Sequence, residues 1–159
     1  MEKGIKIFVI EDDKFYNSVV TNFLKLKGFI VNSFLSGEDA IAYNDTTPDI
    51  ALVDYNLPGL NGIETMKTLL KKYPKAEFLL ISGQTEIKVV IDSVHEGAFD
   101  YIVKDEHTKE NAYYKIQQIL RYRKVNREKN IYRKVVFYLI ASVALVWGLT
   151  MAYYYLIKK

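Results

Sequence analysis

The chain has 159 residues, of which 50% are hydrophobic and 26% charged, and it has a net charge of +3 and no cysteine. This composition excludes a disordered chain, the length excludes a large multidomain enzyme, and the lack of cysteine excludes disulfides and thiolate metal sites. The charge is uneven, because residues 1–104 carry 11 Lys against 15 acids while residues 105–159 carry 11 Lys and Arg against 4 acids, so the two parts are expected to do different jobs.

Short apolar runs alternate with amphipathic segments through the first two thirds of the chain. The pattern predicts strands at 5–10, 29–34, 50–53, 78–81 and 99–103. It predicts helices that end at Gly28, near Asn44 and before Pro74, a fourth at 86–96 and a fifth that begins near Thr108. Apolar strands that alternate with helices indicate an α/β fold of the (βα)5 type, with a parallel sheet that binds ligands at the carboxyl ends of its strands.

Polar side chains stand at the predicted carboxyl ends of four strands. They are Glu11, Asp12 and Asp13 after the first strand, Asp54 after the third, Ser82 after the fourth and Lys104 after the fifth. Neighbouring carboxylates need a cation to be ionised together, and an all-oxygen set suits Mg²⁺. A lysine and a hydroxyl opposite them would bind an anion. These groups are the parts needed to transfer a phosphoryl group to or from a carboxylate, with Asp54 as the candidate nucleophile.

Four stretches of sequence, FVIEDD, LVDYNLPGLNGIE, LLISG and DYIVK, together resemble the receiver domain of two-component response regulators. The resemblance covers residues 4 to about 120. It implies a flavodoxin-like, doubly wound sheet of five parallel strands. It also implies that Asp54 accepts phosphate from a sensor histidine kinase or a histidine phosphotransfer protein. Such a protein is not an enzyme, beyond its own phosphorylation and dephosphorylation.

The resemblance also assigns roles to the other residues of the site. Asp12 and Asp54 would bind Mg²⁺ directly, Glu11 would bind it through metal-bound water, and Asn56 through its backbone carbonyl. Ser82 and Lys104 would contact the phosphoryl oxygens. Tyr101 would be the switch aromatic. Asp13 is expected instead to begin the first helix, and His95 and His107 are expected at the surface. Family members often have proline after the lysine, whereas Asp105 stands here; a non-prolyl cis bond costs about 3 kcal/mol, which favours a trans bond and a differently aimed lysine.

Residues 135–157 are 23 consecutive uncharged residues, with Arg133 and Lys134 before them and Lys158 and Lys159 after them. As a helix they would extend about 34 Å, which is enough to cross a hydrocarbon core about 30 Å thick. Three tyrosines, 153–155, would lie in the interfacial aromatic belt. We therefore predict a single transmembrane helix that continues the fifth helix. A hydrophobic oligomerisation helix explains the segment less well, because it would carry polar residues at regular spacing.

The segment before this run, 121–134, holds seven basic residues and one acid. By the positive-inside tendency it lies in the cytoplasm, which places the receiver on the cytoplasmic side of a bacterial inner membrane. Anionic lipid is the nearer partner of these charges, and nucleic acid is not expected. The predicted organisation is a receiver at 1–120, a basic juxtamembrane helical linker at 121–134, the span at 135–157 and a tail at 158–159.

The predicted function is a membrane-anchored receiver that signals by a conformational change and has no separate output domain, since about 30 residues between the receiver and the span cannot form a core. The alternative is a non-phosphorylated receiver fold that acts as a membrane-tethered scaffold. A phosphohydrolase of the haloacid-dehalogenase type would need a second carboxylate where Asn56 stands. Ala144, Gly148 and Ala152 would permit close helix contact, so a homodimer through the fifth helix and the span is a further hypothesis.

Overall fold

The computed structural model describes residues 4–83 and 95–158. Its strands are β1 (Lys6–Ile10), β2 (Ile30–Phe34), β3 (Ile50–Asp54), β4 (Glu77–Ser82) and β5 (Asp100–Val103). Its helices are α1 (Lys14–Leu26), α2 (Gly37–Ala42), α3 (Gly62–Lys72) and the C-terminal helix (Thr108–Ile157). All five strands agree with the prediction to within one residue at either end. The helix predicted at 86–96 lies almost wholly outside the described residues.

The five strands form one parallel sheet with the order β2-β1-β3-β4-β5. The predicted doubly wound, flavodoxin-like fold is therefore confirmed. From β1 the chain first adds β2 on one side and then adds β3 on the other side of β1. The direction of winding therefore reverses between β1 and β3. Ligands of open α/β sheets bind in the crevice outside the carboxyl ends of the strands at such a reversal. Here that crevice lies between the residues that follow β1 and the last residue of β3.

Burial follows the position of each strand in the sheet. Every residue of the central strand β3 is buried, because parallel strands in the middle of a sheet are covered by helices on both faces. The edge strand β2 has no fully buried residue, and its sequence, IVNSF, carries two polar side chains. Phe8 of β1 packs edge to face against Phe34 of β2, with 4.9 Å between ring centroids.

Local caps determine where the first three described helices begin. Asp13 accepts hydrogen bonds from the backbone N–H groups of Phe15 and Tyr16, which confirms that it begins the first helix. Ser36 caps α2, which ends at Ala42, two residues before the predicted end. Asn61 and Glu64 form a capping box at α3.

The first residue of α3 lies directly against the end of β3. A Cβ atom on Gly62 would lie 2.1 Å from the carbonyl oxygen of Asp54, a separation at which the backbone would have to shift. The Gly62 N–H donates to the carbonyl of Tyr55 at 3.0 Å. Glycine is therefore required here, because it is the residue that lets the helix start so close to the loop after Asp54.

The described chain divides into two compact units, with the boundary after Gln117. The first unit contains the sheet, and the second contains the later part of the C-terminal helix. That helix runs from Thr108 to Ile157 without a break. Among the described helices it is the one long and apolar enough to cross a membrane, and none of the residues in its most apolar stretch is buried. This finding depends on length and composition alone.

Candidate functional site

Three carboxylates meet at the carboxyl ends of β1 and β3. Oxygen atoms of Glu11, Asp12 and Asp54 all lie within 4.8 Å of one another. They meet because β1 and β3 are neighbouring parallel strands, whose carboxyl ends lie at the same edge of the sheet. Glu11 and Asp54 are buried, whereas Asp12 is exposed. An all-oxygen set that is open on one side fits Mg²⁺, which keeps several of its waters.

Lys104 extends from the end of β5 and pairs with both buried carboxylates. Its Nζ atom lies 2.7 Å from Asp54 Oδ2 and 2.7 Å from Glu11 Oε2. The described residues include no cis peptide bond, so the bond between Lys104 and Asp105 is trans. The lysine nevertheless points at Asp54, and the expectation that a trans bond would aim it elsewhere is wrong. The loop is closed by Thr108 Oγ1, which accepts a hydrogen bond from the Asp105 N–H at 2.7 Å.

Burial and ion pairing have opposite effects on the pKa values of Glu11 and Lys104. The pKa of Glu11 is raised to about 7. Burial is the largest cause; the hydrogen bond from Lys104 opposes it, and the nearby negative charge of Asp54 adds to it. Burial by itself would lower the pKa of Lys104, but its hydrogen bonds to Asp54 and Glu11 outweigh burial and raise it. Lys104 is therefore charged at neutral pH, whereas the protonated and ionised forms of Glu11 are both populated near pH 7.

We expect the affinity for Mg²⁺ to rise as the pH increases from about 6 to 8. With its pKa near 7, Glu11 is largely protonated at the lower end of this range, and a cation must displace that proton to interact with the carboxylate. Below the pKa, the gain approaches about tenfold per pH unit for one released proton. Calorimetric titration of the full chain in detergent at several pH values measures this slope. Glu11→Gln should flatten it, and a pH-independent affinity in the wild type would contradict the expectation.

The remaining predicted site residues lie around this group in different environments. Ser82 is fully buried at the end of β4, and Asn56 is exposed two residues beyond Asp54, with its N–H 3.3 Å from Asp54 Oδ1. Tyr101 is buried in the core. The assigned roles of these residues stay predictions. His95 and His107 are both exposed, as expected.

Two side chains of α1 belong to this region, although the sequence did not single them out. The ring of Tyr16 covers the ammonium group of Lys104, with 5.0 Å between Nζ and the ring centroid. Asn17 donates from Nδ2 to the carbonyls of Glu11 at 3.0 Å and Phe34 at 2.9 Å, so it ties the ends of β1 and β2 together. The signal that could have found them is their place in the first turn of the helix that follows the acidic residues.

Comparison with known proteins gives a consistent result. The family model of the response regulator receiver domain matches residues 7–113. A cyclic di-GMP phosphodiesterase of Thermotoga maritima is 32% identical over 128 residues, which cover 80% of this chain and 34% of that protein. The chemotaxis protein CheY of Listeria monocytogenes is 28% identical over 102 residues, which cover 63% of this chain and 86% of that protein.

A solved structure agrees with the fold. The CheY-like response regulator receiver domain protein of Methanospirillum hungatei has a TM-score of 0.72 and 21% identity, with 78% of this chain and 99% of that chain covered. The chain spans only part of the length of two curated relatives: about a third of the Thermotoga protein, and 23% of DctD, a C4-dicarboxylate transport transcriptional regulatory protein of Rhizobium meliloti.

Proposed function

The chain belongs to the response regulator receiver domain family, and on that premise we propose that it accepts a phosphoryl group on Asp54, with Mg²⁺, from a sensor histidine kinase or a histidine phosphotransfer protein. Receiver domains interact with such proteins and bind Mg²⁺ at an acidic pocket. The observation that carries the proposal for this chain is the meeting of Glu11, Asp12 and Asp54 with Lys104, whose Nζ atom lies 2.7 Å from Asp54 Oδ2.

The proposed chemistry follows from these side chains. The donor is a phosphorylated histidine of the kinase or phosphotransfer protein. An oxygen of the Asp54 carboxylate attacks its phosphorus atom, the bond from phosphorus to the histidine nitrogen breaks, and the electron pair stays with the imidazole. The product is an acyl phosphate on Asp54. Asp12 and Asp54 directly, Glu11 through water and Asn56 through its backbone carbonyl would hold Mg²⁺, which would supply positive charge to the transferring phosphoryl group.

Lys104 and Ser82 would hold the product. The Lys104 ammonium group already lies beside the attacking carboxylate, so it can bind a phosphoryl oxygen after transfer, and the Ser82 hydroxyl can donate to another. Hydrolysis of the acyl phosphate resets the protein. We propose no turnover of a separate substrate. The signal would be a conformational change that includes Tyr101, the predicted switch aromatic.

The proposal is tested by treating the full chain in detergent with Mg²⁺ and a small acyl phosphate and measuring its intact mass. One added phosphoryl group is the expected result. If the wild type gains none and also fails to bind Mg²⁺, the phosphoacceptor proposal is wrong. The non-phosphorylated, membrane-tethered scaffold then becomes the better interpretation.

We also propose that residues 135–157 cross a bacterial inner membrane with the receiver domain in the cytoplasm. Support comes from an uncharged helical stretch with no buried residue and from the seven basic residues that precede it. We expect the chain to remain with membranes after alkaline extraction. Val146→Arg should release much of it, because a charge at the centre of a span costs about 3 kcal/mol, whereas Val146→Leu should not. A wild type that is extracted at high pH would contradict the span.

A further inference from the structure

Among the residues that the structure describes, the ammonium group of Lys104 has three partners of two chemical kinds. Two are the carboxylates of Asp54 and Glu11, and the third is the aromatic face of Tyr16, at 5.0 Å from Nζ to the ring centroid. This distance is within the range of about 6 Å over which a cation is attracted by an aromatic ring. The side chain of Lys104 is 22% exposed, so solvent screens this attraction only in part.

The two carboxylate partners are also the groups that the proposed reaction uses. Asp54 receives the phosphoryl group, and Glu11 belongs to the set of oxygen atoms that lie within 4.8 Å of one another and would hold a cation. A bound cation therefore competes with Lys104 for both carboxylates, and a phosphoryl group on Asp54 takes one of the oxygen atoms with which Lys104 could pair. The ring of Tyr16 takes no part in that competition, since its face attracts ammonium and offers no carboxylate oxygen.

We infer that Tyr16 is a positioning residue, whose ring holds the Lys104 ammonium group beside Asp54 when the carboxylates of Glu11 and Asp54 are engaged elsewhere. This inference rests on the proposed function. Its consequence is that Lys104 stays ready to bind the incoming phosphoryl group instead of moving into solvent.

The surroundings of Tyr16 fit this role. Its backbone N–H donates to the capping carboxylate of Asp13 at 2.9 Å, which fixes the first turn of α1 beside the site. Its hydroxyl is buried beside Thr108 but makes no hydrogen bond of good geometry with any residue that the structure describes. Burial raises the pKa of this hydroxyl, so the ring stays neutral. The aromatic face, and not the hydroxyl, is therefore the part of Tyr16 that acts, and phenylalanine should replace it.

The first test needs neither metal nor phosphate. In the full chain in detergent, with labelled lysine, the ring current of Tyr16 should shift the NMR signals of the Lys104 ε-CH₂ group upfield. Loss of a signal in Lys104→Met identifies the residue. The shift should persist in Tyr16→Phe and disappear in Tyr16→Leu. An unshifted Lys104 signal in the wild type would overturn the inference without reference to any variant's folding.

The second test measures the rate of phosphorylation by a small acyl phosphate at saturating Mg²⁺. Tyr16→Leu should lower the rate by roughly three- to tenfold, with rescue by Tyr16→Phe and an unchanged affinity for Mg²⁺. In a Lys104→Met background, Tyr16→Leu should have no further effect, because its target is gone.

The outcomes separate the inference from the function on which it rests. A loss of rate that is equally large in the Lys104→Met background would reflect lost packing and would overturn the inference. Normal phosphorylation of Tyr16→Leu would overturn the inference and leave the proposed function intact. A wild type that takes up no phosphate would overturn both.

Discussion

Asp54→Asn is expected to abolish the uptake of a phosphoryl group by the full chain in the presence of Mg²⁺. The substitution keeps the size and shape of a buried side chain, but a carboxamide is not a nucleophile of the required kind. It also removes one negative charge from the oxygen set formed with Glu11 and Asp12, so a weaker affinity for Mg²⁺ should accompany the loss. Intact mass measures the uptake, and peptide mapping locates the group.

Asp13→Asn is the matched control for this experiment. It makes the same chemical change one residue beyond the acidic pair, at a side chain that caps α1 by accepting from Phe15 and Tyr16 N–H. Asparagine caps helices about as well as aspartate, so folding and phosphoryl uptake should both be retained. Uptake by Asp54→Asn at the wild-type level would show that another residue is the acceptor. Loss of uptake in both variants would point to a general effect of removing charge near the site.

Lys104→Met is expected to destabilise the cation-free protein by about 3 kcal/mol at pH 8, the lower end of the range for breaking a buried ion pair. The value is at the lower end because the side chain of Lys104 is 22% exposed. Without the lysine, Asp54 and Glu11 are two buried carboxylates, and no other cationic side chain in the described part of the chain pairs with them. Hydrogen exchange of the amides of β3 and β4 measures the loss, because these strands lie in the core of the sheet.

The destabilisation caused by Lys104→Met should change with pH in a definite direction. Loss of the lysine should further raise the pKa of Glu11, which is already about 7, well above the usual value of 4.5, chiefly because of burial. A group whose pKa is higher in the folded state binds more protons there, so the folded state is favoured as the pH falls. The destabilisation should therefore be largest above pH 7 and shrink towards pH 5, and Mg²⁺ should also reduce it.

Lys67→Met provides the matched control for the lysine. Lys67 forms an ion pair with Glu96 at 2.9 Å, and these side chains are 45% and 41% exposed. Exposed pairs contribute little, so this variant should lose less than about 1 kcal/mol and should not respond to Mg²⁺. If Lys104→Met is as stable as Lys67→Met at pH 8, the two carboxylates do not depend on Lys104, and the interpretation of the ion pairs is wrong.

Local sequence patterns were enough to predict the α/β fold, the five strands and most of the residues at the carboxyl ends of the strands. Short apolar runs bounded by glycine, proline and capping residues are local signals, and Asp13, Asn61 and Gly62 act on backbone atoms a few residues away. Once the strands are parallel, their carboxyl ends must lie at one edge, and this is why Glu11, Asp54 and Lys104 could be placed at one site in advance.

The way in which these side chains share their charges could not be predicted from the sequence. Lys104 lies 93 residues from Glu11 and 50 from Asp54 along the chain, so no local pattern states that one ammonium group serves both carboxylates. The raised pKa of Glu11 follows from burial, which depends on packing by every neighbouring element. The contact of the Tyr16 ring with Lys104 and the direction of the Lys104 side chain towards Asp54 also depend on packing. Such contacts join side chains from distant elements, so they exist only after the sheet and the helices have assembled.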